Sequence, residues 1–315
     1  MPVELSRARR GWLSRIRSYA RVQAPPEGRP IEQALYGAAQ PILGARVLLN
    51  DPQLLREALA PGAVLALVCA LYATAKGGGG QWAWFQHFYR AFATLAPLPS
   101  LFFANHYARL GALVRWKLGF GACGPREMPL GTLIGRLVRQ TLIVAIGVIP
   151  FAAIWNVLPV VGWTIGPIIS NAVVLAWGVH WVVADAFDDA QVIHPGETLR
   201  QSIQRDRDAP PPWFVRFLRR VADHLHIVGR PLRWFARLCD YLALDSRGEI
   251  SIMERNRYVA LGFGLSTAAL LATPVLNLLF RPIVIVASSH LLGHLEKDEE
   301  VGGDVGALSG AGTPT

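Results

Sequence analysis

Leu158-Pro159-Val160-Val161-Gly162-Trp163-Thr164-Ile165-Gly166-Pro167-Ile168 interrupts one long apolar run. Thr273-Pro274-Val275-Leu276-Asn277-Leu278-Leu279-Phe280-Arg281-Pro282-Ile283 interrupts another. Each stretch holds two prolines eight positions apart, with Gly162 or Asn277 between them. A proline in a helix interior removes a backbone hydrogen bond and clashes with the preceding turn, at a cost of roughly 3 kcal/mol. Both stretches therefore read as bends between two helices. A bilayer offers no water to unsatisfied backbone, so a bend at membrane depth must be buried in protein or line a wet cavity. The pattern predicts helical hairpins that enter the membrane and return, twice.

The composition agrees with a membrane setting. Of 315 residues, 52% are hydrophobic and only 17% are charged, against about 25% charged in ordinary soluble domains. The formal net charge is +9, and only Lys76, Lys117 and Lys297 among the 31 basic residues are lysines. Basic charge in such a chain is explained by the positive-inside rule and by anionic headgroups rather than by nucleic acid. Cys69, Cys123 and Cys239 are isolated, so no metal spacing or redox pair is expected.

Along the chain, residues 1–40 form a basic segment. Leu5, Ala8, Trp12, Ile16 and Tyr19 recur there at helical spacing among arginines, as in a surface-lying amphipathic helix. Ala58 to Ala75 is long enough to cross a membrane. Lys76 to Gly80 breaks it, and Ala91 to Tyr107, with Pro97 and Pro99 inside, reads as a second, kinked span. A basic helical stretch follows, with Leu110, Leu113, Val114 and Leu118 on one face. Thr141 to Phe187 contains the first hairpin. Residues 190–257 form a polar insert with two amphipathic helices, after Pro212 and after Pro231. Tyr258 to Thr273 and Ile283 to Leu292 are the arms of the second hairpin. Ten residues in the latter cover about 15 Å, half of a hydrocarbon core of about 30 Å. The first hairpin, with longer arms, reads as either spanning or half-penetrating. Residues 296–315 are acidic and then Gly-rich, as in a disordered tail. The fold expected is thus an all-α membrane protein: about two long transmembrane helices, two hairpins that span or re-enter, and amphipathic cytoplasmic helices. Arginine distribution puts the N-terminus and the insert in the cytoplasm.

Three groups of residues resemble the EI24/CysZ family of membrane proteins. Pro159, Gly162, Thr164 and Pro167 give the P-x-x-G-x-T-x-x-P pattern of its first hairpin. Glu254-Arg255-Asn256-Arg257, Leu261-Gly262-Phe263-Gly264 and Thr273-Pro274-Val275-Leu276-Asn277-Leu278 are similar to its C-terminal signature. Asp51-Pro52 through Arg56 to Pro61 is similar to its approach to the first span. The similarity covers residues 41–295 and implies two long helices with two partly penetrating hairpins in a multi-pass protein of the bacterial inner membrane. For the permease branch it implies transport of sulfate by a homo-oligomer without a cofactor. That branch carries Gly-hydrophobic-Arg-Arg where this chain has Gln53-Leu54-Leu55-Arg56, so only the last arginine is kept. Arg46, close to Gly44, is the nearest substitute.

Three arginines are accordingly candidates for binding a small anion. Arg56 lies where backbone N–H groups of a helix start also attract anions. Arg46 lies ten residues earlier. Arg281, beside Pro282, is a charge at membrane depth, which is expensive and so often functional. Pro159, Gly162, Thr164, Pro167, Pro274, Asn277 and Pro282 are candidates for shaping the hairpins. His180 reads as a packing histidine, and Asp185, Asp188 and Asp189 as a solvated helix end. No nucleophile with a base, metal spacing or paired carboxylate at membrane depth points to an enzyme. A second reading takes the basic insert as a surface that binds lipid or a protein partner, making the chain a membrane scaffold.

Overall fold

The computed structural model describes residues 16, 18–77, 79–95, 102–157, 166–225, 229–272 and 280–296. Nearly all of them are helical. Helix α1 (Pro30–Asn50) passes into α2 (Pro52–Lys76) through Asp51 alone. The Asp51 carboxylate accepts from the N–H groups of Gln53 at 3.0 Å and Leu54 at 3.2 Å, and Pro52 takes the first helical position. Both features favour a helix start at this point. α1 crosses the boundary drawn at residue 40, so the basic segment and the membrane domain share one helix.

Twenty-five residues give α2 a length of about 37 Å, enough to cross a bilayer. Leu59, Val64, Leu67, Val68 and Leu71 are exposed on it, as on a face turned to lipid. It ends at Gly77, whose φ of 57° lies in the left-handed region. Helix α3 (Gly80–Leu95) returns along it. Trp82, Trp84, Phe85, Phe88 and Tyr89 all lie on α3. Trp84 stacks on Phe88 with centroids 5.5 Å apart, Phe88 on Phe92 at 5.7 Å, and Trp84 Nε1 donates to Thr74 Oγ1 at 3.1 Å. Of the kinked second span expected over Ala91 to Tyr107, the structure describes α3 as far as Leu95 and a helix that begins after Phe103, α4 (Ala104–Lys117), which is largely buried. Pro97 and Pro99 lie outside the described residues.

A two-residue antiparallel pair joins β1 (Gly124–Pro125) to β2 (Val192–Ile193). Between them run the arms of the first hairpin, α5 (Leu130–Val157) and α6 (Gly166–Asp189). Gly147 admits the Trp177 indole, since a Cβ there would sit 2.3 Å from the ring, and Trp177 Nε1 donates to the Val144 carbonyl at 3.0 Å.

The insert contains both expected amphipathic helices, α8 (Trp213–His224) and α9 (Gly229–Leu242), packed on each other. It also contains α7 (Leu199–Asp208) and α10 (Arg247–Arg255), which the sequence reading left unassigned. Thr198 and Gln201 start α7 with a reciprocal capping box. Phe214, Val215, Cys239 and Leu242 join the main core, so the insert is built into the bundle.

α11 (Arg257–Leu271) crosses α1 at backbone contact. A Cβ on Gly262 would lie 1.8 Å from the Ala34 carbonyl oxygen, and one on Gly37 would lie 2.1 Å from that of Val259. The last helix, α12, covers residues 280–296, so it is longer than the ten-residue arm read from Ile283 to Leu292. It is also buried on nearly every side: Val284, Ile285, Ala287, Leu291 and Leu292 are all core residues. It gains Phe280, Arg281 and Pro282 at its start and Gly293 to Glu296 at its end, and α1, α4 and α6 meet it through Gly44, Gly111 and Asp189.

Among the described residues, α2, 130–148 of α5 and 168–189 of α6 are long and apolar enough to cross a membrane. The protein is an all-α integral membrane protein. Pro167 opens α6 and Pro282 opens α12, positions where proline suits a first helical turn. Pro159, Gly162, Thr164, Pro274 and Asn277 lie outside the described residues, as do 1–15 and the tail from 297.

Candidate functional site

Where the first hairpin meets the insert, charges gather in the protein interior. Arg136 on α5 sits 2.8 Å from both Asp188 of α6 and Glu249 of α10. Arg126 pairs with Asp206 of α7 at 2.6 Å and approaches Glu249 at 4.0 Å. Arg281 at the start of α12 reaches Asp189 at 2.7 Å and Asp185 at 3.2 Å, and its guanidinium lies 5.9 Å above the Tyr107 ring. Arg126, Arg136, Asp206 and Glu249 are all buried. A small cavity of about 60 Å³ opens between Arg136, Arg281 and the three α6 aspartates.

These contacts correct the reading of Asp185, Asp188 and Asp189 as a solvated helix end. A helix that leaves a bilayer into water needs no partners, but α6 ends under the insert. Its carboxylates are matched there by arginines from α5 and α12. Charges removed from water require such partners, and removing one partner of a buried pair is far more costly than removing a surface one. The same geometry explains why α5 tolerates Arg136 and Arg139 beside its exposed Leu137 and Val138. Arg139 pairs with Asp245 at 2.5 Å.

Five carboxylates in this cluster face three guanidinium groups, so proton occupancy matters. Burial, followed by the neighbouring Glu249, pushes the Asp206 carboxyl up to about 6, against the pull of Arg126. Burial also raises Glu249, with Arg136 opposing it. Burial pushes the Tyr107 phenol up to about 12.

The three anion candidates sit in different settings. The Arg281 charge is met by two carboxylates and belongs to the buried cluster. Arg46 is exposed on α1 and donates to the Ala20 carbonyl at 2.9 Å. Arg56 is exposed in the first turns of α2, without a hydrogen-bond or ion-pair partner among the described residues. The structure does not bring Arg56 and Arg281 together into one shell. Close by, Lys117 Nζ contacts Asp51 Oδ2 at 2.6 Å, which holds the Asp51 carboxyl below its usual range.

Sequence reasoning missed Glu249, Asp206, Arg126 and Arg136 as a unit. The available signal was an arginine on an otherwise apolar helix, which demands a partner. Its partner Glu249 lies 113 positions away, and nothing in the spacing names it. In comparisons with family models, curated proteins and solved structures, the chain finds no match.

Proposed function

We propose that this protein is a transport protein of the EI24/CysZ type, which carries a small anion such as sulfate across the bacterial inner membrane as a homo-oligomer. The observation that carries the reading is the reach of the first hairpin. Beyond the Trp177–Val144 hydrogen bond, α5 continues about 20 Å to Val157 and α6 about 17 Å back to Gly166. The exposed Trp213, edge-on to Phe214 beside that bond, suits a membrane–water boundary, whereas Trp177, Trp181 and Phe214 are buried in the core. Each described arm thus reaches a little more than half of a hydrocarbon core of about 30 Å. Arms of this reach suit a hairpin that turns within the bilayer, and a turn there would need protein or water around its backbone.

In this reading, anion capture falls to Arg56, with Arg46 on the neighbouring helix, and the Arg281 cluster holds the bases of the hairpins. The test is sulfate uptake into proteoliposomes. Arg56→Gln should reduce uptake about tenfold, and Arg230→Gln on the insert should leave it unchanged. Absence of flux for sulfate and for other small oxyanions would exclude transport.

One observation favours a scaffold role for the insert. Trp213, Phe217, Trp234 and Tyr241 are exposed on α8 and α9, interleaved with exposed Arg220, Arg230, Arg233 and Arg237. Aromatic and arginine side chains in that mixture suit an interfacial anchor. A nitroxide on Trp234→Cys should be more accessible to oxygen than to an aqueous chelate; the opposite order removes this reading.

A further inference from the structure

A cleft of about 580 Å³ lies between α6, α8, α10 and α11. That volume falls within the roughly 300–1,000 Å³ common for small-molecule sites. Val173, Ala176 and Trp177 form one wall, and Ala260 and Leu261 the other. The cleft is continuous with the bilayer-facing surface: Val174 and Leu175 on α6 and Leu261 and Leu265 on α11 are exposed beside it. An apolar groove at this depth is covered by lipid when the protein is in a membrane.

The polar end of the cleft has a sign. Glu254 is already committed, since its carboxylate accepts from the Trp213 backbone N–H at 2.6 Å and pairs with Arg216. Arg257 also lines the cleft, exposed, with its guanidinium 4.7 Å from the Tyr258 ring centroid and no carboxylate partner among the described residues. His180 lines it as well, and its Nε2 is buried without a hydrogen-bond partner. The cleft therefore offers one cation without a carboxylate partner among the described residues, with apolar walls leading to the exposed faces of α6 and α11. Guanidinium groups are well matched to phosphate oxygens.

We infer that this cleft holds one anionic phospholipid, its acyl chain between α6 and α11 and its phosphate at Arg257. The site rests on the protein being membrane-embedded and is independent of transport.

The experiment is native mass spectrometry of the full-length protein, purified in detergent, stripped of lipid and titrated with phosphatidylglycerol or phosphatidylcholine. One phosphatidylglycerol should be retained about tenfold more tightly than phosphatidylcholine. Arg257→Gln should abolish that preference. Ala176→Trp, at an exposed lining position, should fill the cleft and reduce retention of both lipids about tenfold, and Arg200→Gln, exposed on α7 away from the lining, should change nothing. Equal retention of the two lipids, or no retention, overturns the site. A preference that survives Arg257→Gln, or Ala176→Trp binding as the unaltered protein does, overturns it too. Displacement by millimolar inorganic phosphate would assign Arg257 to a free anion and also overturn it. A protein that stays soluble without detergent would instead defeat the membrane reading itself.

Discussion

The two hairpins begin from the same punctuation, two prolines eight residues apart, and end in different surroundings. The arms of the first, α5 and α6, hold each other through Trp177 and Val144, then extend beyond the insert with Ile168, Val174 and Leu175 exposed. The arms of the second lie against the rest of the bundle. α11 lies against α1 through Gly262 and Gly37, and α12 is enclosed by the bundle along most of its length. Equal sequence patterns therefore do not mean equal exposure to lipid. What differs is the rest of the chain: polar partners gather at the base of the first hairpin, and small residues let helices close around the second.

That contrast can be broken at its polar side first. Glu249→Ala should leave Arg136 and Arg126 buried without their shared carboxylate and cost about 3–5 kcal/mol. Unfolding in mixed detergent would measure the loss, and hydrogen exchange should show it centred on α5. A cost below about 1 kcal/mol would mean the cluster is wet rather than sealed. The proton balance gives the next effect. Because the Asp206 carboxyl rises from 3.8 to about 6 on folding, its contribution is fullest below pH 3.8 and is lost as pH rises through about 6. Relative to Asp206→Asn, the unaltered protein should therefore lose up to about 3 kcal/mol between pH 4 and 7. Parallel curves for the two proteins would show that Asp206, among Glu249, Arg126 and Arg205, titrates normally.

The second hairpin should respond to size rather than charge. Gly262→Ala places a methyl group against the Ala34 carbonyl, so α1 and α11 must separate, at about 1–3 kcal/mol. Exchange should rise in α11 and not in α5. Smallest is Trp177→Phe, which removes one hydrogen bond to Val144 and should cost about 1 kcal/mol. Its signature is faster exchange confined to the first hairpin; an effect spread to α11 would erase the distinction between the two.

Much of this architecture can be read from the residues alone. Asp51-Pro52 announces the start of α2, the glycines after Lys76 announce its end, and the periodicity after Pro212 and Pro231 places α8 and α9. These signals are local, carried within one turn or one helix. Two other features are not local. The enclosure of α12 depends on Gly44, whose Cβ would lie 2.3 Å from the Ile283 carbonyl, and a glycine in α1 does not say which helix approaches it. The charge cluster draws on α5, α6, α7, α10 and α12, so its members look like separate surface charges until the chain is folded. Arg281 shows the limit most plainly: a charge beside an apolar run is legible as needing partners, but the two aspartates that meet it are not.

Asp51 is the entire connection between α1 and α2. With α1 held to α11 and α12 by carbonyl-to-glycine contacts that leave no side chains to yield, the inner helices form one slab. The α2–α3 pair meets that slab at a one-residue elbow, with Lys117 gripping the elbow's carboxylate. A swing of the outer pair would therefore have to open that grip together with the His106–Glu57 carbonyl contact at 2.7 Å and the packing of Leu54 and Ala58 on Tyr107 and Leu110, all of them within two turns of the elbow.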